Sequence, residues 1–147
     1  MTDGIVVSIN RSLEKGVKKT PIRKGVFIKD YGLKGDAHAG NWHRQVSLLS
    51  IESIEKMEGK GIEFKEGDFA ENLTTKGLKV YELPLKTRIK VGEVILEISQ
   101  IGKKCHDGCE IKKMTGHCIM PKEGVFAKVI KEGIIKENDP IEILRQN

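Results

Sequence analysis

Residues 87–98 read TRIKVGEVILEI, and this stretch carries the clearest structural signal in the sequence. Before Gly92, the apolar residues Ile89 and Val91 alternate with charged residues, which is the pattern of a strand with one buried face. Gly92 can adopt the positive φ angle that a two-residue turn needs, and a second apolar, β-branched run follows it. The stretch therefore predicts a β-hairpin.

The other strand signals are short apolar runs bounded by glycine or by polar turn residues. They lie at residues 4–10, 25–29, 125–130 and 141–144. Asn138-Asp139-Pro140 predicts the turn that precedes the last of them. Residues 78–85 and 111–114 leave strand, turn and short helix open as alternatives.

One short helix is predicted in the middle of the chain. Ser50 is its candidate N-cap, and Gly59 is the candidate stop at its other end. Ile51, Ile54 and Met57 are spaced so that they share one face of this helix. Many short strands without a regular strand–helix alternation predict a mainly β fold, namely a closed or partly open β-barrel with one or two short helices.

Composition limits the classes of protein to which the chain can belong. It has 147 residues, with 26 Lys and Arg against 21 Asp and Glu and a net charge of +5. This length predicts a single domain over residues 1–147. Because the basic residues are scattered among acidic ones and aromatic residues make up only 5% of the chain, we expect no specific nucleic-acid partner.

No targeting or membrane segment is evident in the sequence. No apolar run approaches the roughly 20 residues of a transmembrane helix, and the initial MTDGIVVSIN lacks the pattern of a signal peptide. We therefore expect a cytoplasmic protein that does not associate with membranes. In that reducing compartment cysteines serve more often as ligands or nucleophiles than in disulfides.

The first polar segment, residues 35–45, reads GDAHAGNWHRQ. Arg44 can hold a phosphate through its planar fork, and His38 or His43 can bond the edge of a cofactor. The alternative is a turn-rich loop whose histidines bond their own backbone.

The second polar segment, residues 67–77, reads GDFAENLTTKG. Glu71 and Asn72 in this segment can contact an anionic or heterocyclic ligand. The alternative is that they form a turn at the start of a strand.

The third polar segment, residues 102–118, contains all three cysteines. Lys103 and Lys104 precede Cys105 and favour its thiolate, which is the form that acts as nucleophile and metal ligand. One interpretation is a tetrahedral zinc site built from the segment's cysteines with one of its histidines. Its ligands would be Cys105, Cys109 and Cys118 with His106 or His117. A reactive thiol for sulfur transfer or soft-metal ligation is the second interpretation, and buried inert cysteines are the third.

The three segments, in this order and with an apolar strand leading into the cysteine, resemble the MOSC domain family, named for the C-terminal domain of molybdenum cofactor sulfurase. The likeness extends from about Gly4 to Leu144 and is to the small stand-alone type. The resemblance implies a β-rich, barrel-like fold around a pterin-based molybdenum cofactor (molybdopterin) or a sulfur-handling site.

The resemblance also implies roles for individual residues. Cys105 matches the hallmark cysteine of the family and would be a molybdenum ligand or the carrier of a persulfide. Asn72 matches the asparagine of the ENL segment. The implied phosphate contacts are Arg44, Lys103 and Lys104, and the residues implied to contact the pterin are His38, His43, Gln45, Glu71 and Asn72. Many relatives read Arg-x-Pro-Cys at the key cysteine, whereas this chain reads Gly102-Lys103-Lys104-Cys105, in which a lysine would act as a point charge.

The function implied is molybdenum-cofactor binding, sulfur transfer, or both. Whether the chain is an enzyme is left open between a cofactor-dependent oxidoreductase, a sulfurtransferase and a carrier without turnover. The partners implied are the pterin cofactor and either a cysteine desulfurase or a molybdopterin-biosynthesis protein. The alternative function is that of a small zinc protein with a structural or interaction role.

Overall fold

The computed structural model describes residues 2–15, 17–58, 64–102 and 123–144, except for the side chains of residues 57 and 58. The strands are β1 (Gly4–Arg11), β2 (Thr20–Ile22), β3 (Lys24–Ile28), β4 (Gly32–Leu33), β5 (Val46–Ser50), β6 (Leu73–Lys76), β7 (Arg88–Val91), β8 (Val94–Ile101), β9 (Val125–Lys131), β10 (Gly133–Lys136) and β11 (Pro140–Leu144). Within these ranges the helical elements are α1 (Ile51–Glu58) and a 3₁₀ turn (Val80–Glu82).

Seven strands form a closed barrel in the order β11-β7-β8-β9-β5-β6-β1, and β1 pairs with β11 to complete the ring. The pairs are antiparallel except for β5 and β6, which run parallel. At the closing seam Gly4 lies opposite Ile141, and the carboxylate of Asp3 accepts a hydrogen bond from Ile143 N at 2.8 Å. Closure leaves no strand edge open in the ring. The predicted mainly β, barrel-like fold is confirmed.

The hairpin at residues 87–98 lies within this ring. Val91 pairs with Val94 and Arg88 with Glu97, and Gly92 in the turn has φ +58°. The alternate apolar residues point into the barrel, where they join apolar residues from the other strands. This core includes Val6, Ile9, Val46, Leu48, Leu73, Ile89, Val91, Leu96, Ile98, Val125, Ala127, Val129 and Ile141. A second sheet, β10-β3-β4, packs against it with Phe27, Leu33 and Ile135.

A smaller apolar cluster lies on the other side of the barrel wall. It consists of Leu49, Ile54, Phe69 and Phe126. Because side chains alternate along a strand, Leu49 and Phe126 face outward while their neighbours face the core. Helix α1 covers this cluster, and Ser50 Oγ caps it by accepting a hydrogen bond from Ser53 N at 3.1 Å. The predicted cap is thus confirmed, whereas the predicted stop at Gly59 lies outside the described residues.

The ambiguous stretch at residues 78–85 contains the 3₁₀ turn, and residues 111–114 lie outside the described ranges. Among the described residues, no helix combines the length and apolar character needed to cross a bilayer.

The hairpin turn gives a test of the fold. A Cβ at Gly92 would collide with Asp139 Oδ2 and would sit at a positive φ angle. We expect Gly92→Ala to lower the free energy of unfolding by about 1–3 kcal/mol, measured by urea denaturation. Glu93→Ala, in the same turn, should change it by less than about 0.5 kcal/mol. Equal effects of the two substitutions would contradict the turn geometry.

Candidate functional site

A buried ion pair organises the loops outside the barrel. Lys19 Nζ lies 2.7 Å from Asp36 Oδ1, and both side chains are fully buried. Ser12 completes the arrangement, because its N–H donates to Asp36 Oδ1 at 3.1 Å and its hydroxyl accepts from Lys19 Nζ at 3.0 Å. We call Ser12, Lys19, Asp36 and His38 the ion-pair cluster. It ties the segment between β1 and β2 to the first polar segment.

His38 lies at the edge of this cluster with 20% of its side chain exposed. Its backbone N–H donates to Asp36 Oδ2 at 3.1 Å, and its Nδ1 lies 3.1 Å from Lys19 Nζ. An ammonium group can only donate, so Nδ1 accepts this hydrogen bond and the ring proton resides on Nε2. The cluster therefore selects one neutral tautomer of His38.

The charge of Asp36 is stabilised within the cluster. Burial acts to raise the pKa of Asp36, but the hydrogen bond and charge of Lys19, together with the Ser12 N–H and the Asn72 side chain, hold it below its ordinary value. Asp36 is consequently ionised at neutral pH and compensates the charge of Lys19.

Arg44 is held by aromatic rings. Its Cζ lies 4.7 Å from the ring centroid of Trp42 and 5.7 Å from that of Phe126. Trp42 is fixed in turn, since its Nε1 donates to His38 O at 2.8 Å. Arg44 Nε is buried, and it finds no hydrogen-bond acceptor in the described part of the chain. Stacking thus fixes the guanidinium while leaving this donor for an anion.

His43 connects the first polar segment to the end of β8. Its Nε2 lies 2.8 Å from Gln100 Oε1, and its carbonyl accepts a hydrogen bond from Ser99 Oγ. Gln100 Nε2 donates to Gly102 O at 2.7 Å. Gly102 is the last described residue before the cysteine segment, so His43 lies next to the point where that segment begins.

The described residues on either side of positions 103–122, which include the three cysteines, are held together. Gly102 N donates to Gly124 O at 2.6 Å, which joins the two sides. Glu123 accepts from Ser53 Oγ at 2.6 Å and pairs with Lys56 Nζ at 2.9 Å, both on α1. The residues that flank the cysteine segment are therefore held to each other and to α1.

Asn72 is fully buried and joins three strands. Its Oδ1 accepts from Ser47 N at 3.0 Å and from Ser47 Oγ at 3.2 Å, and its Nδ2 donates to Asn10 O at 3.2 Å. Asn72 thus links the start of β6 to β5 and β1. Gln45 plays a comparable part, since its Oε1 accepts from Val129 N at 3.0 Å. The Nε2 of Gln45 is buried without a partner among the described residues.

Glu71 is a fully buried carboxyl group that the described residues satisfy without a cation. Its oxygens accept from Thr74 Oγ1 at 2.7 Å, Gly67 N at 3.1 Å and Phe69 N at 3.2 Å. Burial raises the pKa of Glu71 to about 7, and these hydrogen bonds offset only part of that effect. Glu71 is therefore close to half-protonated at neutral pH.

The site residues predicted in the third segment, namely Lys103, Lys104, Cys105, His106, Cys109, His117 and Cys118, lie outside the described residues. Their predicted roles stay predictions. Within the described ranges, no group of three His, Cys, Asp or Glu side chains is arranged to hold a metal ion.

A family comparison covers all three polar segments. The model of the MOSC domain family matches residues 35–142. The chain belongs to the MOSC domain family. This confirms the resemblance seen in the sequence, and the family is associated with binding of the molybdenum cofactor.

Solved structures share the fold of this MOSC domain. The YUAD protein from Bacillus subtilis has a TM-score of 0.80 at 18% identity, over 100% of this chain and 98% of that one. YiiM from Escherichia coli has a TM-score of 0.64 at 18% identity, over 97% and 71% of the two chains. YiiM from Geobacillus stearothermophilus has a TM-score of 0.65 at 21% identity, over 99% and 75%. At these identities the likeness concerns the fold alone. A comparison with curated proteins found no match to the sequence.

Three members of the ion-pair cluster of this MOSC domain, Ser12, Lys19 and Asp36, were not foreseen as site residues. Lys19 is one of several scattered lysines and has no local motif, and Ser12 looks like an ordinary turn residue. Their importance comes from a contact with Asp36, 17 positions beyond Lys19. Only the glycine-framed Asp36-Ala37-His38 stretch carried a signal in the sequence.

The buried ion pair predicts a large effect of removing one charge. Asp36→Asn should leave the buried charge of Lys19 without the Asp36 carboxylate, and should lower the free energy of unfolding at pH 7 by about 3–5 kcal/mol. The matched control is Glu97→Gln, which breaks the more exposed pair with Arg88 and should cost less than about 1 kcal/mol. Denaturant titration of both variants checks the difference, and similar losses would contradict a buried pair.

Glu71 predicts a dependence of stability on pH. Its folded pKa lies above the ordinary value of 4.5, so its stabilising contribution is complete below about pH 4.5 and is lost as pH rises to about 7. The shift corresponds to about 3 kcal/mol. The free energy of unfolding of the native chain, minus that of Glu71→Gln, should fall by that order between pH 4.5 and 7.5. Parallel stability curves would show that Glu71 titrates normally.

Proposed function

We propose that this MOSC domain binds a pterin-based molybdenum cofactor, or carries sulfur destined for it, through the thiolate of Cys105. The observation that carries the proposal is the chain of contacts from His43 through Gln100 to Gly102. Cys105 follows Gly102 by three residues, which span at most about 11 Å of chain. In our proposal the first polar segment and the cysteine therefore contribute to one binding region.

Arg44 supports an anionic ligand in this region. Its guanidinium carbon lies 4.7 Å from the ring centroid of Trp42 and 5.7 Å from that of Phe126, and its buried Nε has no acceptor among the described residues. A phosphate or another oxyanion would satisfy this donor with a charge-assisted hydrogen bond. In our proposal Arg44 holds the phosphate of the cofactor, together with Lys103 and Lys104.

His38 fits the edge of a pterin, because its ring is partly exposed and carries its proton on Nε2. Gln45, Glu71 and Asn72 are buried and bonded to strand or loop groups of the same chain. We therefore propose that these three residues position the wall of the site. When bound, the cofactor would supply oxygen- or sulfur-atom transfer at molybdenum.

The sulfur-carrier form of the proposal requires a persulfide donor such as a cysteine desulfurase. The Cys105 thiolate would attack the terminal sulfur of the donor persulfide. A new S–S bond forms on Cys105 as the donor S–S bond breaks, and the donor leaves as a thiolate. Lys103 and Lys104 would stabilise the attacking thiolate. The reducing cytoplasm is the compartment in which we expect this exchange.

The test is elemental and pterin analysis of the full chain purified from a host that makes the molybdenum cofactor, together with persulfide transfer from a desulfurase. We expect molybdenum and pterin in the native chain, or sulfur accepted on Cys105, and loss of both in Cys105→Ser. Protein with neither molybdenum nor pterin, whose Cys105→Ser variant still accepts sulfur, would overturn the proposal. Bound zinc that is lost in Cys109→Ser and Cys118→Ser, without pterin, would favour the zinc alternative.

A substitution of Arg44 provides a second test of the proposal. Arg44→Gln should reduce the pterin content of the purified chain by about tenfold, because one charge-assisted contact contributes about 1.5–3 kcal/mol. Arg23→Gln removes an exposed arginine outside this region and should leave the pterin content unchanged. Equal pterin contents in the two variants would show that Arg44 does not contribute to binding of the cofactor.

A further inference from the structure

A second candidate binding site lies between the end of β1 and the sheet β10-β3-β4. It is a cavity of about 420 Å³, which falls within the range of small-molecule sites. Three cations line it, namely Arg11 from β1, Lys24 from β3 and Lys34 after β4. We call this cavity the basic pocket.

The cations of the basic pocket are uncompensated. No Asp or Glu side chain is among the described residues that line the pocket. Arg11, Lys24 and Lys34 also form no ion pair within the described part of the chain. Lys19, by contrast, is neutralised by Asp36 nearby. Three positively charged residues that line one concave surface favour an anion of two or more charges.

Gly35 shapes the pocket around Arg11. It has φ +85°, and a Cβ at this position would lie 3.3 Å from both Cδ and Nη1 of Arg11. The arginine side chain therefore lies close against the backbone of Gly35. This contact limits the freedom of the guanidinium and reduces the entropy that a ligand would have to overcome.

The remaining wall of the pocket is apolar. Val26 is 45% exposed, which is unusual for a valine in a strand, and Ile134 from β10 is half-buried beside it. A ligand that offered only charge would leave this surface in water. A ligand with a compact apolar body next to its anionic group would cover it.

We propose that the basic pocket binds a small phosphate ester, with the phosphate on Arg11, Lys24 and Lys34 and the organic part on Val26 and Ile134. Arginine matches two phosphate oxygens through its fork, and the lysines add point charges. Its three cations are not residues of the proposed cofactor region, and only Gly35 of the pocket lining belongs to the first polar segment. The proposal therefore does not depend on the proposed function.

The probe for this site is phenyl phosphate, titrated into the full chain by calorimetry at low and moderate salt. We expect saturable binding that weakens as salt rises. Inorganic phosphate should bind more weakly because it lacks the ring, and phenol should not bind because it lacks the charge. Equal binding of phenyl phosphate and phenol, or no binding of phenyl phosphate, would overturn the proposal.

A triple variant locates the binding. Arg11→Gln, Lys24→Gln and Lys34→Gln together should lower the affinity for phenyl phosphate by at least about tenfold. The control variant combines Lys76→Gln, Lys90→Gln and Lys131→Gln, three exposed lysines outside the pocket, and removes the same charge. Its affinity should stay within about twofold of the native value. Equal losses of affinity in the two triple variants would show that binding depends only on net charge. That result would overturn the assignment of the ligand to the basic pocket.

Cys105→Ser separates this inference from the proposed function. We expect this variant to bind phenyl phosphate with native affinity, whether or not it holds the molybdenum cofactor. A loss of phenyl phosphate binding in Cys105→Ser would place the ester at the cysteine site and overturn the assignment to the basic pocket.

Discussion

The site region depends on one buried ion pair, Lys19 with Asp36. Removing two charges from water is costly, and the attraction between them offsets this cost only where further hydrogen bonds satisfy the same atoms. Ser12 bonds both members of the pair, and the backbone of His38 bonds Asp36. These contacts hold the first polar segment against the segment that follows β1. Contacts outside the barrel core therefore determine the position of that polar segment, which contains Trp42 and Arg44.

Charge is handled differently in the ion-pair cluster and at the two proposed anion sites. In the ion-pair cluster Lys19 is neutralised, and Glu71 nearby is buried with a raised pKa and no cationic partner among the described residues. Arg44 and the cations of the basic pocket keep their charge without a carboxylate in the described part of the chain. What distinguishes these cations is their surroundings, because Arg44 lies against aromatic rings and the other three line one cavity.

The sequence predicts those features of the fold that depend on local patterns. The hairpin at residues 87–98 is evident because one of its faces is buried and the turn needs glycine. By contrast, β5 is buried on both faces and β6 reads LTTK, so neither shows a clear alternation. Their places in the barrel come from long-range pairing. For the same reason the role of Lys19 cannot be predicted from its local sequence, because the fold brings it to its partner Asp36. The segment around His38 and Arg44, by contrast, is recognisable from its local pattern of glycines and polar residues.

The central claim is that the Lys19–Asp36 pair holds the site loops against the barrel. Hydrogen–deuterium exchange of Asp36→Asn, compared with the native chain, tests it directly. The account predicts a larger increase in exchange rate in residues 11–15, 17–20 and 34–45 than the global destabilisation of the variant produces in β7, β8 and β11. Equal increases in the loops and in these strands, or unchanged exchange in the loops, would contradict it.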